Sequence, residues 1–125
     1  MTTTERVLEF LRTQGFCPEV DEHGSIIFKY QMVTFLFINN DEDNEFFQLT
    51  MPFIYDVTDD NRDIVLEAVN KTNANMKVAK VCIIDESVWA FFEILLDQSP
   101  DVQDIIPRAL NILMGARQTL YENLN

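Results

Sequence analysis

The stretch from Val69 to Ile83 changes its hydrophobic spacing from that of a helix to that of a strand. The apolar residues that precede it recur every three or four positions, which is typical of one face of an α-helix. From Lys77 to Ile84 the residues are mostly apolar or β-branched, which favours a strand. The chain therefore has a fixed helix-to-strand junction.

Three asparagines, Asn70, Asn73 and Asn75, lie at this junction. No catalytic base, nucleophile or metal ligand lies close to them in sequence. Asparagine tolerates left-handed backbone geometry and is favoured near helix C-termini and in turns. We therefore expect Asn70 and Asn73, with Lys80 just beyond them, to form a structural junction that ends the helix rather than a catalytic site.

The first half of the chain predicts one helix followed by a meander of strands. Thr2 and Glu5 have the spacing of a capping box, and Gly15 is expected to end the first helix. The segment 16–21 leads into the turn signal Glu22-His23-Gly24. The strands that follow are predicted at Ser25–Tyr30, Met32–Asn39 and Phe46–Tyr55, with Phe47, Leu49, Met51 and Phe53 on one face of the last.

The second half predicts helix, hairpin and helix. Caps at 58–61 open the second helix, and the hairpin strands are expected at Lys77–Ile84 and Val88–Leu96. Ser99 and Pro100 are expected to begin the last helix as cap and first residue, with Pro107 either kinking it or starting its main segment. The predicted order is α-ββββ-α-ββ-α, an α+β fold with an antiparallel sheet, rather than the βαβ alternation of nucleotide-binding folds.

Length and composition are typical of one soluble domain covering residues 1–125. At 125 residues and 47% hydrophobic content, the chain can bury a core without disulfides or a structural metal. Its apolar runs are too short to span a bilayer, and the first residues lack a signal-peptide pattern. Two widely spaced cysteines do not make a disulfide framework. We expect a cytoplasmic protein.

The charge is strongly acidic. Nine basic residues against twenty-one acidic residues give a net charge of −12. Such a field repels phosphate backbones and anionic lipids, so we expect no nucleic-acid partner and no membrane partner. A neutral or basic protein partner is favoured.

No set of residues makes a recognisable catalytic or metal site. The single histidine, His23, lies in a predicted turn, and Asp41, Asp43 and Glu45 have calcium-loop spacing but Phe46 stands where that loop needs glycine. Three glycines cannot form a phosphate-binding loop. We predict a protein that is not an enzyme and needs no cofactor or metal. Cys17 and Cys82 have apolar neighbours and are expected to be inert core thiols.

The strands carry apolar residues on both of their faces. Two interpretations stay open: the three helices cover both faces, or one face is buried against a second subunit or a client segment. Together with the last helix, this surplus of apolar surface predicts a homodimer. An aromatic pocket near Phe35, Phe53 and Trp89 is the alternative, and it would make the chain a small-molecule sensor.

A family resemblance follows from two patterns. The run Val20–Phe28, with its Asp-Glu-His-Gly turn, and the pattern Val69-Asn70-x-x-Asn73 leading into Lys80–Ile83 resemble the YbjN family, described as bacterial sensory transduction regulators. The resemblance covers nearly the whole chain. It implies a fold similar to type III secretion chaperones and a small, dimeric, protein-binding domain of bacterial origin. On this basis we expect a non-enzymatic regulator or chaperone-like binder of a protein partner.

Overall fold

A computed structural model describes residues 1–40 and 42–125 of the chain. Within these residues, helices and strands follow in the predicted order, so the predicted α+β class is confirmed. The helices are α1 (Thr3–Thr13), α2 (Arg62–Asn75) and α3 (Val102–Leu124), and the strands are β1 (Glu19–Val20), β2 (Ile26–Tyr30), β3 (Val33–Phe37), β4 (Phe46–Asp56), β5 (Ala79–Ile84) and β6 (Ser87–Leu95).

The strands form one antiparallel sheet in the order β1-β2-β3-β4-β6-β5. β4 is one of the two central strands and the longest of the six, and it pairs with β6 over most of its length, from Phe46 opposite Leu95 to Asp56 opposite Ser87. α2 connects β4 to β5, which lies at the outer edge of the sheet. The hairpin of β5 and β6 then returns the chain to the centre.

The helix termini agree with the sequence at the first helix and differ at the last. The Thr2 side chain accepts a hydrogen bond from the backbone N–H of Glu5, as the capping box predicts. At the last helix the cap is Asp101, whose side chain accepts from the N–H of Asp104, so the prediction of Ser99 as cap and Pro100 as first residue was wrong. α3 begins at Val102 and continues through Pro107, which therefore does not start its main segment.

The hydrophobic core lies between the three helices and one face of the sheet. Phe35, Phe37 and Phe47 are almost completely buried on this covered face, and Val7 and Leu11 from α1 join the same cluster. α3 contributes most of the helical side of the core, with Ile106, Ala109, Leu110, Leu113, Ala116 and Leu120 buried at helical spacing. The core is therefore one layer between helices and sheet.

The opposite face of the sheet, here called the open face, carries no helix in the described part of the chain. Strand register places Ile27, Leu36, Thr50, Phe91 and Lys80 in one row across it. Ile27 and Lys80 are exposed, Leu36 and Phe91 are half-buried, and Thr50 is buried among its neighbours. Of the two interpretations of the apolar strands, the structure excludes the one in which the helices cover both faces.

Candidate functional site

The two strands β3 and β4 stay together for only part of their length. Their ladder contains the pairs Leu36–Thr50 and Phe37–Leu49, beyond which β4 continues along β6 without β3. The start of β3 and the second half of β4 therefore diverge. The space between them, here called the β3–β4 groove, has a volume of about 450 Å³ and is lined mainly by apolar side chains, including Leu36, Pro52, Phe53 and Trp89.

A bulge in β4 shapes one wall of this groove. The register between β4 and β6 shifts between Met51 and Tyr55, and Phe53 within the shift has a φ of 55°. This left-handed conformation costs a residue other than glycine about 1–2 kcal/mol. Phe53 is nevertheless 74% exposed, so burial of its own side chain does not offset that cost. Strained positions of this kind are concentrated at functional sites.

Phe53 and Trp89 form an aromatic ridge beside the groove. Their ring centroids are 5.1 Å apart with an interplanar angle of 66°, and the Trp89 ring stacks on Phe91 at 6.2 Å. The indole Nε1 of Trp89 is buried and has no acceptor among the described residues. A buried donor without a partner is uncommon and costs free energy. The Phe53–Trp89 ridge therefore combines an exposed apolar surface with an unused polar group.

The last helix supplies the other wall. The Tyr121 hydroxyl donates a hydrogen bond of 3.1 Å to the carbonyl of Ile54, which fixes the end of α3 to β4. The guanidinium of Arg117 lies 5.9 Å from the centroid of the Tyr121 ring. Arg117 is half-buried and forms no ion pair with any residue that the structure describes. A cation is thus positioned in a mainly apolar groove.

A polar cluster covers the open face next to the ridge. Lys80 Nζ lies 2.7 Å from Glu93 Oε1 and 5.6 Å from the centroid of the Phe91 ring. Gln48 Nε2 donates to the other carboxylate oxygen of Glu93 at 2.6 Å. The hydrogen bond to Glu93 raises the pKa of Lys80 despite partial desolvation. Since these paired polar groups occupy the area next to the ridge, the groove is the more apolar part of the open face.

The predicted pocket residues divide between the two faces of the sheet. Phe53 and Trp89 lie together at the groove, but Phe35 is completely buried on the covered face, where its ring stacks on Phe28 at 5.7 Å. Placing Phe35 in a pocket was therefore wrong. Sequence reasoning missed Arg117 and Tyr121, which reach the groove from the far end of the chain. Pro52 inside a predicted strand was the available signal, because proline in a strand indicates an edge or a bulge.

The asparagine junction has a different geometry from the one expected. α2 continues through Asn73 to Asn75, and the residue with left-handed geometry is Val78, at a φ of 71°. Asn73 does not end the helix. Its Nδ2 donates to the Val81 carbonyl at 2.8 Å and its Oδ1 accepts from the Val81 N–H at 2.7 Å, which ties α2 to the edge strand β5.

The other two residues of the predicted junction lie outside this pair of hydrogen bonds. Asn70 is exposed on α2, and the side chain of Lys80 points to Glu93 on the open face. The structure therefore separates the three residues: Asn73 connects helix and strand, Lys80 belongs to the polar cluster, and Asn70 is part of the helix surface.

The remaining candidates for chemistry are dispersed. His23 is exposed in the turn before β2 and lies 3.5 Å from Glu22. Cys17 is exposed, so its assignment to the core was wrong, whereas Cys82 is half-buried and burial raises the pKa of its thiol. Asp41, part of the calcium-spaced triplet, lies outside the described residues. Among the residues that are described, no cluster of His, Cys, Asp and Glu suits a metal ion.

A comparison with protein families accounts for this architecture. A family model described as "T3SS (YopN, CesT) and YbjN peptide-binding chaperone 1" matches residues 2–124. The chain belongs to this family. No individually curated protein matches it. The resemblance to the YbjN family and to type III secretion chaperones is confirmed, and the coarse function of a peptide-binding chaperone domain comes with it.

None of the described helices is both long enough and apolar enough to cross a membrane. The longest helix, α3, instead buries one side against the sheet and is polar on the other.

Proposed function

We propose that this chaperone-family domain binds an extended protein segment in the β3–β4 groove, adding it as a strand beside β3. The divergence of β3 from β4 is the observation that carries the proposal, because it leaves part of the β3 edge without a strand partner beside an apolar groove. Extended peptides bind such margins through backbone hydrogen bonds and through pockets for alternate side chains.

The backbone of β3 supports pairing on this side. The Leu36 carbonyl accepts from Thr50 Oγ1 at 2.8 Å, so at Leu36 the backbone groups face β4. Because a strand alternates with a period of two, the N–H and C=O of Thr34 also face β4 and therefore point into the groove. Pro52 on the opposite margin has no N–H to donate. A segment in the groove is thus expected to pair with β3 and to pack against β4.

The ridge supplies the apolar contact. Phe53 is exposed and Trp89 is half-buried, so an apolar side chain of the bound segment would remove both rings from water. Fully burying a large apolar side chain is worth about 1.5–3 kcal/mol. Aromatic residues of this type dominate the energetics of many interfaces. The ridge is therefore the expected centre of binding.

We expect Phe53→Ala to weaken peptide binding by about tenfold or more, because it removes that burial. The ligands would be selected from a random heptapeptide library that is flanked on both sides by linker. Synthetic versions without tryptophan would be titrated while the fluorescence of Trp89, the only tryptophan of the chain, is followed.

Leu95→Ala is the matched control for this experiment. Leu95 is 80% exposed on β6 and lies outside the groove lining, so its loss should leave affinity unchanged. Equal affinity of Phe53→Ala and wild type for the selected peptides would contradict the assignment of the groove.

The same proposal covers the biological setting. The chain acts as a non-enzymatic, cytoplasmic regulator or chaperone-like binder of a protein partner. A net charge of −12 supports a protein partner over nucleic acid or an anionic membrane surface. The rival interpretation as a small-molecule sensor relied on a pocket that included Phe35, and the burial of Phe35 in the core removes part of that basis.

We also propose a homodimer, with its contact outside the groove. The sequence argument relied partly on the last helix. In the described part of the chain, however, no large apolar residue of α3 is exposed. Exposed large apolar residues outside the groove include Ile64 and Leu66 on α2, Val78 just before β5 and Ile84 on β5. Apolar burial is worth about 25 cal/mol per Å². Repulsion between two acidic subunits is screened over about 8 Å at physiological salt.

Light scattering at micromolar concentration should therefore give a dimer mass that persists as salt is raised. Leu66→Glu should convert the dimer to a monomer, whereas Leu95→Glu, at an exposed leucine on the open face, should not. A monomer mass at both low and high salt would end the dimer proposal without affecting the peptide groove.

A further inference from the structure

Arg117 gives the groove a charge opposite to that of the molecule. Only nine residues of this chain are basic and twenty-one are acidic, so an arginine beside an apolar groove is unusual for this chain. Among the described residues that line the groove, Arg117 is the only charged one. We propose, building on the proposed peptide-binding function, that the groove prefers a segment in which an acidic residue directly neighbours a large apolar residue.

The state of Arg117 fits a role in binding a carboxylate. Its guanidinium is held near the Tyr121 ring, and Tyr121 is itself fixed to β4 by the hydrogen bond to Ile54. Arg108 on the same helix differs, because it is exposed and pairs with Asp104 at 3.2 Å. In the described structure the donors of Arg117 have no carboxylate, and a planar guanidinium suits a carboxylate that accepts two hydrogen bonds.

Strand geometry sets the order of the two residues. Successive side chains of an added strand point to opposite faces of the sheet. A side chain on the open face meets Leu36 and the Phe53–Trp89 ridge, whereas its neighbour points toward α3, where Arg117 and Tyr121 lie. The apolar residue and the acidic residue are therefore adjacent in the ligand.

The overall charge acts at a different range. A net charge of −12 repels acidic ligands over long distances, but screening limits that repulsion to about 8 Å at physiological salt. Contact in the groove is decided by the side chains that line it. The ligand is consequently a mostly neutral segment with one carboxylate beside its apolar anchor, rather than an acidic tail.

Three synthetic peptides test this preference. They share the sequence acetyl-Ser-Thr-Phe-X-Val-Thr-Ser-amide, with aspartate, asparagine or lysine at X, and their binding is followed by Trp89 fluorescence at physiological salt. We expect the aspartate peptide to bind about fivefold tighter than the asparagine peptide, and the lysine peptide to bind most weakly. Arg117→Gln should abolish the preference, so that the aspartate and asparagine peptides bind with equal affinity. Arg108→Gln is the control and should leave all three affinities unchanged.

The possible outcomes distinguish the preference for an acidic residue from the peptide-binding function on which it rests. Equal binding of the three peptides, or tightest binding of the lysine peptide, would overturn the preference and leave peptide binding intact. Library peptides that lack an acidic residue beside the anchor would overturn it as well. If neither these peptides nor any library peptide changes Trp89 fluorescence, the proposed function itself fails.

Discussion

Replacing Phe35 with alanine is expected to lower the free energy of unfolding by about 3–5 kcal/mol. Phe35 is completely buried. Its ring centroid lies 5.7 Å from that of Phe28, on which it stacks, and 6.3 Å from that of Tyr30. The truncation therefore leaves a cavity that these rings cannot fill. Single domains have a stability of about 5–15 kcal/mol, of which this is a large fraction. Urea denaturation followed by circular dichroism measures the loss.

Phe53→Ala is the matched control, since it removes the same side chain from the same sheet. Phe53 is 74% exposed, and its edge contact with Trp89 is the main interaction lost, so the expected change is below about 1 kcal/mol. Peptide binding should instead be weakened by Phe53→Ala, the substitution with the smaller effect on stability. Equal destabilisation by the two substitutions would contradict the assignment of the covered and open faces.

The contrast between these two phenylalanines shows what the sequence could predict. Alternation within a strand puts Phe35 and Phe37 on one face and Leu36 on the other, and the burial pattern of β3 agrees. The pattern did not say which face the helices cover, because both faces are apolar. In β4 the alternation of Phe47, Leu49 and Met51 predicted a fourth inward residue at Phe53, but the bulge turned Phe53 to solvent.

The order of elements was predictable for a physical reason. Helical and strand spacing, caps and turn residues are local signals, and each lies within one short segment. The groove depends on contacts between distant segments. Tyr121 and Ile54 are separated by 67 positions, and Arg117 becomes significant only once α3 is fixed to β4. Because no local pattern encodes that contact, the groove could not be predicted from the sequence.

The junction shows the same limit on a smaller scale. The change of spacing placed the junction between Val69 and Ile83, and within that stretch α2 ends at Asn75 and β5 begins at Ala79. Three asparagines in a short run made capping the natural interpretation. Asn73 instead pairs with the N–H and C=O of Val81, which lies on the edge strand β5. Unpaired groups on an edge strand favour association with other chains, so the side chain of Asn73 protects this edge.

Asn73→Ala is therefore expected to lower the free energy of unfolding by about 1–2 kcal/mol. Two hydrogen bonds are lost at about 1 kcal/mol each, and the higher helix propensity of alanine offsets roughly 0.5 kcal/mol of that loss. The exposed edge at Val81 should also increase self-association as protein concentration rises. Denaturant titration and sedimentation velocity measure the two effects.

Asn70→Ala separates the hydrogen bonds from the general effect of removing an asparagine. Asn70 is exposed on the same helix, so its replacement should leave stability equal or slightly higher because of helix propensity. Peptide affinity should be unchanged in both variants, because β4 and β6 separate the edge strand from the β3–β4 groove. Unaltered stability of Asn73→Ala combined with lost peptide binding would instead make Asn73 a recognition residue, and β5 rather than β3 would then be the strand that receives the ligand.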